Sequence, residues 1–421
     1  MTSTAAPAPH PSQEDLDKAE LGVGPRELVV LISSVMALMA VGLDLILPGF
    51  DQIREAFDLG DGSNRVGQII TFYFFGLAIA QLIWGPLADR YGRKPVLYAG
   101  VGIYLLGAVL SALAPTFGVL LGARVLWGMG AAAARVVATA IIRDRFVGDR
   151  MAKAMSQVMA VFVLVPVVAP SLGAIIVAFL PWQAVFWTCA VWAVAVALWS
   201  LRLEETLDPA HVRPLSVRQI ARAYLEVARI PLSFGYAIAT VFLQVAFTLY
   251  SANIELIIGD IYDRAGQFPF VFGVVAIGFG ISAIINSRLV ERFGMDAMID
   301  RGLLVVIVGA VALAVVSVSA DGRPAFWLFI FLTGLVLSAF MVLMPNMNTA
   351  AMTPVGHIAG SASAFISAIR IGVGSAIAGV ITRYIDDSVT PFSISVLGCV
   401  IAVLVTVAVI RRLPESQSAT P

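Results

Sequence analysis

The sequence predicts an all-α membrane protein with twelve transmembrane helices, arranged as two pseudo-repeats of six helices. Three observations lead to this prediction: a composition too apolar for soluble domains, a series of apolar segments that are each long enough to cross a bilayer, and a motif that recurs in both halves. Of the 421 residues, 59% are hydrophobic and 13% are charged. Soluble domains carry about 25% charged residues.

Twelve segments are long and apolar enough to be transmembrane helices. A helix that crosses a hydrocarbon core of about 30 Å needs about 20 predominantly apolar residues. The shortest predicted loops lie at Pro115-Thr116 and Pro181-Trp182, and fusing the flanking segments across either loop gives a helix about twice as long as one crossing needs. The predicted spans are residues 28–50, 66–88, 96–117, 118–142, 154–180, 183–201, 230–258, 267–287, 302–320, 325–353, 358–382 and 391–410.

The polar residues exclude several classes of function. Cys189 and Cys399 lie within apolar segments, and the three histidines, His10, His211 and His357, lie outside them. Two cysteines are too few for a disulfide framework or a cysteine zinc site, and the histidines lie apart from them in the sequence. Basic and acidic residues balance at 27 each, so no net charge attracts nucleic acid. We therefore expect no metal and no cofactor, and nothing in the sequence supports an enzyme.

The distribution of Lys and Arg predicts the orientation. With the N-terminus in the cytosol, 19 of these residues fall in cytosolic segments, five in outer segments and three within spans. This bias predicts that both termini are cytoplasmic. Residues 1–27 lack the basic start and apolar centre of a secretory signal and are expected to form a disordered cytosolic leader, and residues 413–421 a cytosolic tail.

A motif recurs in the two halves of the chain. The longest predicted internal loop, residues 202–229, separates a first half, residues 28–201, from a second half, residues 230–412. GPLADRYG at residues 85–92 follows the second span, and SRLVERFG at residues 287–294 follows the eighth, at a constant offset of 202 residues. This offset indicates duplication of a six-helix unit, as in many transporters.

Several motifs resemble those of one transporter family. GPLADRYGRK at residues 85–94 resembles the signature loop of the major facilitator superfamily. LGARVLWGMG at residues 121–130 and GLDLILP at residues 42–48 resemble the fourth-span and first-span motifs of twelve-span drug:proton antiporters. Ile142-Arg143-Asp144 and residues 356–360 further resemble the bicyclomycin-resistance (Bcr/CflA) transporters. The resemblance implies the major facilitator fold, proton-coupled export and a location in a bacterial inner membrane.

The fifth span departs from the antiporter pattern. The family motif usually carries a Gly-Pro pair followed by paired glycines, whereas residues 169–174 read APSLGA. Pro166, Pro170 and Gly173 recur at helical spacing, and a proline kinks a helix because it lacks a backbone N–H. The span is predicted to be either a bending element during transport or a curved packing helix.

Five ionisable residues fall within the predicted spans: Asp44, Arg124, Arg135, Glu255 and Arg370. A charge at the bilayer centre costs roughly 2.5–3.5 kcal/mol, so such residues usually face a cavity or a partner. At about 1.5 Å per residue, Asp44 and Arg124 lie at matching depths, roughly 10 Å from the outer ends of their spans. If their helices face each other they form an ion pair. That pair would either couple transport to protons, by changing the proton affinity of the carboxylate, or statically close the outer half.

Two further arginines are candidates for the substrate cavity. Arg370 lies near the midplane, where a cation suits an anionic or carbonyl-bearing solute, with a helix carbonyl as the alternative partner. Arg135 lies 11 residues after Arg124, on the same helix face, and is predicted to contact ligand, to snorkel or to form an internal salt bridge. Between them, Gly128 and Ala131 either open a solute groove or permit close helix packing.

Tyr73 and Glu255 complete the candidates for the cavity. Tyr73 belongs to the aromatic run of residues 72–75 in the second span, so it either lines the cavity or packs against lipid or the core. Glu255 lies within three residues of the outer end of its span and is expected to be interfacial.

The signature loop is the predicted gate. Gly85, Asp89, Arg90, Gly92 and Arg93 occur in the order of the superfamily motif. The resemblance implies that this loop ties the two halves together in the outward-open state. The alternative is a basic loop that serves only to set the topology.

The sequence therefore favours a proton-coupled secondary transporter that exports small organic compounds or drugs by antiport. The alternative is proton-coupled uptake of a small polar or heteroaromatic metabolite, such as a riboflavin-like vitamin. The expected partners are a small-molecule substrate, protons and the lipid bilayer, with the monomer as the functional unit.

Overall fold

The computed structural model describes residues 23–60, 63–208, 212, 217–385 and 387–412, apart from the side chains of residues 149, 152 and 217. Residues 1–22 of the predicted leader, residues 1–27, and the predicted tail at residues 413–421 lie outside this description, whereas the last residues of the predicted leader are described and the first helix begins at Pro25. The described chain forms fourteen α-helices, of which α2 and α8 are short. They are α1 Pro25–Asp44, α2 Phe50–Ala56, α3 Gln68–Tyr91, α4 Arg93–Ala112, α5 Phe117–Arg145, α6 Gly148–Phe179, α7 Gln183–Ser200, α8 Val217–Arg229, α9 Pro231–Leu256, α10 Phe268–Phe293, α11 Met295–Ser319, α12 Phe326–Met352, α13 Ala359–Ile381 and α14 Thr390–Arg411.

The twelve long helices confirm the predicted number of spans. Ten of them are each apolar enough to cross a membrane, and α12 and α13 meet this condition as one continuous segment, Phe326–Tyr384, in which a 3₁₀ segment, Thr353–Ile358, joins the two helices. The two shortest predicted loops also separate helices as expected. In the first of these loops, Thr116 caps α5, because its hydroxyl accepts a hydrogen bond from the backbone N–H of Val119.

The first span differs from its prediction. The apolar pattern predicts a continuous helix over residues 28–50, but α1 ends at Asp44, and the 3₁₀ segment Leu47–Gly49 precedes α2. Pro48 lies in this break and cannot donate a backbone hydrogen bond. Gly173 of α6 packs against the break so closely that a Cβ atom there would lie 2.1 Å from the carbonyl oxygen of Leu45. Asp44 is therefore at the end of a helix rather than within one.

The repeated motif has the same backbone geometry in both halves. Gly92 precedes α4 with φ +103°, and Gly294 precedes α11 with φ +79°. Both values lie in the region that glycine occupies at no steric cost. The shared conformation, at positions 202 residues apart, agrees with a duplicated six-helix unit.

The first six spans, from α1 to α7, pack against the last six mainly through two helix pairs, α3 with α13 and α6 with α10. We call the end of the bundle that carries residues 85–94 the signature end, and the end that carries α2 and residues 63–67 the far end. Both described chain ends lie at the signature end, where Arg202 donates to Glu27 over 2.7 Å and Arg411 pairs with Asp300.

Candidate transport site

The far end is closed by contacts between the two halves. The side-chain amide of Asn64 donates to the carbonyl oxygens of Thr382 at 2.5 Å and Ile385 at 2.6 Å. Arg54 of α2 donates to the carboxylate of Asp260 at 2.7 Å. These bonds join segments that lie more than 200 residues apart in the chain, and they bring the halves into direct contact at this end.

The signature end opens into a cavity of about 440 Å³ between the halves. Helices α3, α5 and α6 line it from one side and α13 from the other, with α8 at its edge. Its charged lining consists of three arginines and one aspartate, Arg93, Arg135, Arg143 and Asp89. The protein is therefore open at the signature end and closed at the far end, which is one of the two states that alternating access requires.

The residues of the signature loop bind one another within the first half. Arg93 bridges two carboxylates, at 2.7 Å from Asp89 and 2.8 Å from Asp144. Glu205, just beyond α7, accepts from the backbone N–H groups of Arg93 at 2.8 Å and Lys94 at 3.0 Å, and so caps the start of α4. In this state, these bonds stabilise the first half and do not reach the second.

The glycines of the signature loop have distinct positions. A Cβ atom on Gly92 would lie 2.4 Å from a carboxylate oxygen of Glu205, so the capping contact requires glycine. Gly85 lines the cavity, and Arg90 is exposed. Sequence reasoning missed Glu205, because a single acid at the start of a polar linker carries no distinguishing pattern.

The linker contains a helix that the apolar pattern does not predict. Ala223 and Val227 of α8 are buried, whereas its arginines are exposed. The hydroxyl of Tyr224 donates to the carbonyl oxygen of Leu82 in α3 at 3.1 Å, and its ring stacks on Phe365 of α13 at 5.1 Å. Helix α8 therefore contacts both halves at the mouth of the cavity.

Arg124 is fully buried within the first half. Its Nη1 donates to the carbonyl oxygen of Gly42 at 2.8 Å, and its Nε to that of Ile69 at 3.4 Å. Its guanidinium carbon lies 4.7 Å from the ring centroid of Tyr73 and 4.8 Å from that of Trp127, which is cation–π geometry. Arg124 is therefore held by backbone carbonyls and aromatic rings within the first half.

Asp44 is 4% exposed, and its carboxylate has no hydrogen bond or ion pair with any residue that the structure describes. The ion pair with Arg124, anticipated from the matching depths, is absent in this state, because Arg124 binds the backbone two residues before Asp44. Tyr250 of the second half lies within electrostatic range of Asp44, and its hydroxyl is buried without a described partner. No sequence pattern singles out Tyr250.

Tyr73 belongs to the interior of the first half rather than to the cavity. Its side chain is fully buried, and its hydroxyl donates to the carbonyl oxygen of Met39 at 2.8 Å. The sequence predicts that the fourth span either opens a solute groove at Gly128 or packs closely there. A Cβ atom on Gly128 would lie 2.0 Å from the carbonyl oxygen of Tyr73. Close packing of α5 on α3 is therefore the role of this glycine.

Glu255 is buried rather than interfacial. It is 4% exposed, and its Oε2 has no described partner. Helix α9 continues beyond it through a π-helical turn, Ile257–Ile261, so the end of the span lies farther along the chain than predicted. Glu255 lies within electrostatic range of Arg54 at the far end, away from the open cavity. Arg54, expected in an outer loop, is itself 7% exposed.

Arg370, on the helix of the second half that packs against α3, is held by neutral groups of its own half. Its Nη1 donates to Oε1 of Gln244 in α9 at 2.9 Å and lies 3.7 Å from the sulfur of Met344. Gln244 in turn donates to Thr248 at 3.1 Å. Arg135, which lines the cavity from the first half, lies within electrostatic range of Arg370.

The two prolines of the fifth span lie inside one helix. Helix α6 runs through Pro166 and Pro170 from Gly148 to Phe179, and it meets α10 of the second half. Because Gly173 contacts the break after Asp44, α6 connects that break to the interface between the halves.

Known proteins share this architecture. Residues 30–379 match the family profile of the Major Facilitator Superfamily. The bicyclomycin resistance protein homolog of Haemophilus influenzae is 28% identical over 375 residues, which cover 89% of this chain and 93% of that protein. The multidrug resistance protein MdtL of Escherichia coli is 29% identical over 339 residues, covering 80% and 84%. A solved D-xylose-proton symporter superposes with a TM-score of 0.72 at 13% identity, covering 94% of this chain and 99% of that one.

The profile match extends over most of the chain, and the predicted resemblance to the bicyclomycin-resistance group is confirmed by relatives aligned over most of their length. The likeness to the symporter shows the fold alone. With twelve spans and a cavity between two halves, the protein is a multi-pass membrane transporter rather than an enzyme, and it belongs to the major facilitator superfamily.

Proposed function

We propose that this transporter exports small organic compounds in exchange for protons and that Asp44 carries the proton. One observation supports this role above all: a carboxylate without a described partner lies buried at the break between α1 and α2, within electrostatic range of Tyr250 of the second half. A carboxylate in this position changes its surroundings whenever the halves move. A change in surroundings changes its proton affinity, which is the requirement for coupling.

The names of the relatives favour export over uptake. The proteins from Haemophilus influenzae and Escherichia coli are named for resistance to bicyclomycin and to multiple drugs. Resistance is the expected outcome of removing a compound from the cell. No feature of the described cavity favours uptake of a vitamin-like metabolite, so the export proposal is preferred.

The transport cycle follows from the two ends of the bundle. Opening the far end requires breaking the bonds of Asn64 and the Arg54–Asp260 pair. Closing the signature end brings α3 and α5 toward α13, and Asp89 and Arg93 then come within reach of the second half. We propose that the signature loop is the gate at this end, and that α6, with its two prolines, transmits the movement to the break beside Asp44.

We further propose that the signature end faces the cytosol of a bacterial cell, that both termini lie there, and that the monomer transports. Cysteine labelling in intact cells tests the orientation. A cysteine replacing Gly266, at the far end, should react with an impermeant reagent, and one replacing Tyr91, which is 61% exposed at the signature end, should not. The opposite pattern contradicts the orientation.

Flux into proteoliposomes tests the coupling. Bicyclomycin should accumulate in liposomes with an acidic lumen, and Asp44→Asn should abolish this accumulation while downhill exchange continues. Asp321→Asn is the matched control, because Asp321 is exposed at the far end and asparagine tolerates its positive φ. If Asp44→Asn still accumulates bicyclomycin against its gradient at the normal rate, another group carries the proton, and Glu255 is the next to test.

A further inference from the structure

Two arginines from opposite halves converge beside the cavity. Arg135 lies ten residues from the signature end of α5, and Arg370 lies 11 residues from the corresponding end of α13. At about 1.5 Å per residue, both lie roughly 15 Å inside the bundle. Ser363 and Ser367 of α13 line the cavity, and Arg370 continues the same helix face. The two cations are near enough for their charges to interact.

No carboxylate in the described chain pairs with either arginine. The Arg135 guanidinium has no hydrogen bond to a described residue, and Arg370 binds only the neutral side chains of Gln244 and Met344. Asp89 is the only acid among the described residues that line the cavity, and it is bound to Arg93 at the mouth. Arg135 therefore lines the inner part of the cavity and Arg370 lies beside that part, and neither has a described counter-charge.

Two uncompensated cations of like sign are unfavourable between two protein halves, because each has lost water and each repels the other. An anion between them removes both penalties. Guanidinium groups bind carboxylates through charge-assisted hydrogen bonds, which are stronger than neutral ones. Gln244 keeps Arg370 oriented, since it is itself held by Thr248.

The remaining lining suits the organic part of such a ligand. Val136, Met151, Met155 and Ala364 provide apolar surface in the cavity. Methionine side chains adapt to ligands of different shape. A cavity of about 440 Å³ has room for a small organic molecule but not for a peptide or a lipid chain in full.

We infer that Arg135 and Arg370 form one binding site, with one arginine from each half, for the acidic group of a small organic anion. The inference names a substrate class for the proposed export function. It rests on that function, because it takes the cavity to be the route of the substrate. It also gives the ligand a part in the cycle: the bound acid offsets the repulsion between the halves and lets the signature end close around it.

Fluorescence titration of the purified transporter in lipid nanodiscs tests the site without any gradient. The probes are dansylglycine and its neutral amide, dansylglycinamide, which differ only in the acidic group. We expect the acid to bind at least about tenfold more tightly, because one charge-assisted hydrogen bond is worth that factor or more. Arg135→Gln and Arg370→Gln should each lower affinity for the acid about tenfold and leave affinity for the amide unchanged.

Matched controls distinguish a carboxylate site from misfolding and from a site for inorganic anions. Arg288→Gln removes an exposed arginine outside the cavity and should change neither affinity. Unchanged binding of the amide shows that the arginine variants fold. Sodium phosphate, at constant ionic strength, should compete poorly, since it lacks the organic body. Equal competition by phosphate would make this an inorganic anion site and overturn the inference.

Other outcomes also overturn the inference. They are equal affinity for acid and amide, no binding of the acid, or loss of the preference in only one of the two arginine variants. Failure of the export proposal would give a different experimental result. If Asp44→Asn keeps uphill transport while the preference for the acid persists, the proton site is elsewhere and the anion site stands.

Discussion

Arg124 donates its hydrogen bond to the backbone carbonyl of Gly42 and leaves the carboxylate of Asp44, two residues farther along, without a described cation. The arginine thus holds the helix that carries the carboxylate without neutralising it. Arg124 is anchored by two carbonyls and two aromatic rings. We therefore expect an Asp44–Arg124 ion pair to form and break through movement of Asp44 rather than of Arg124.

We expect strong coupling between substitutions at these two positions. Asp44→Asn removes the charge, and Arg124→Ala removes the anchor of α1, so either change should stop proton-driven accumulation. The double variant should transport no worse than the more damaged single variant, because the two residues serve one step. Bicyclomycin accumulation in proteoliposomes is the measurement for the two single variants and the double variant. Accumulation that survives in Asp44→Asn and falls further when Arg124→Ala is added would indicate two independent roles.

Arg124→Lys tests the aromatic anchor separately. Lysine keeps the charge but lacks the planar fork that reaches two carbonyls and stacks on rings. We expect a loss of about 1–3 kcal/mol in stability, from one buried hydrogen bond and the cation–π contact. Thermal unfolding in detergent measures this loss. Arg288→Lys, on an exposed site, should leave the melting temperature unchanged.

The two glycines that end the repeated motif give a matched pair. Gly294→Ala adds a methyl group that meets no atom within 4 Å, so its cost is that of the positive φ, about 1–3 kcal/mol. Gly92→Ala has the same backbone cost and also displaces the Glu205 carboxylate from the start of α4. We expect Gly92→Ala to lower the melting temperature several degrees more than Gly294→Ala. Equal shifts would show that the Glu205 cap contributes nothing.

Asn64 should control the opening of the far end. Asn64→Leu removes two hydrogen bonds between the halves, worth about 0.5–1.5 kcal/mol each, and so shifts the population toward the far-end-open state roughly tenfold. A cysteine replacing Ser367, in the cavity, reports this shift through slower labelling from the signature end. The native cysteines, Cys189 and Cys399, are buried and give little background. Gln267→Leu, exposed at the far end, is the control. Unchanged labelling in Asn64→Leu would show that the Asn64 hydrogen bonds do not control the opening of the far end.

Asp89 should act in the opposite direction. In the signature-end-open state, Asp89 binds only Arg93 of its own half among the described residues, so its gating contacts belong to the state that is closed at the signature end. Asp89→Asn should weaken that closed state and raise the labelling of the cysteine at position 367. Unchanged labelling, with normal expression, would reject a gating role for Asp89.

The apolar segments and the charges within them made much of this architecture predictable. Segment length indicates the twelve spans, and the cost of burying charge singles out Asp44, Arg135 and Arg370 as residues between or beside the halves. Depth along a helix is readable from residue counts, but the direction in which a side chain points also depends on how helices rotate against each other. That is why Asp44 and Arg124 match in depth and yet do not pair.

Other features leave no readable pattern in the sequence. Gln244, which orients Arg370, is a single neutral amide within an apolar helix. Arg54 and Glu255 are wrongly predicted at the outer surface because the first and seventh spans extend beyond the apolar segments that define them, through α2 and through a π-helical turn. Hydropathy marks where a segment stops being apolar, whereas packing against the other half decides where it stops being buried.

The two arginines without a described carboxylate partner have an electrical consequence. If an acid leaves the cell while one proton enters, two elementary charges move in the direction that a negative interior favours. Each is driven by about 2.3 kcal/mol per 100 mV of membrane potential. A neutral compound exchanged for one proton uses only half of this driving force. The membrane potential would therefore drive the export of acids about twice as strongly as that of neutral compounds by the same protein.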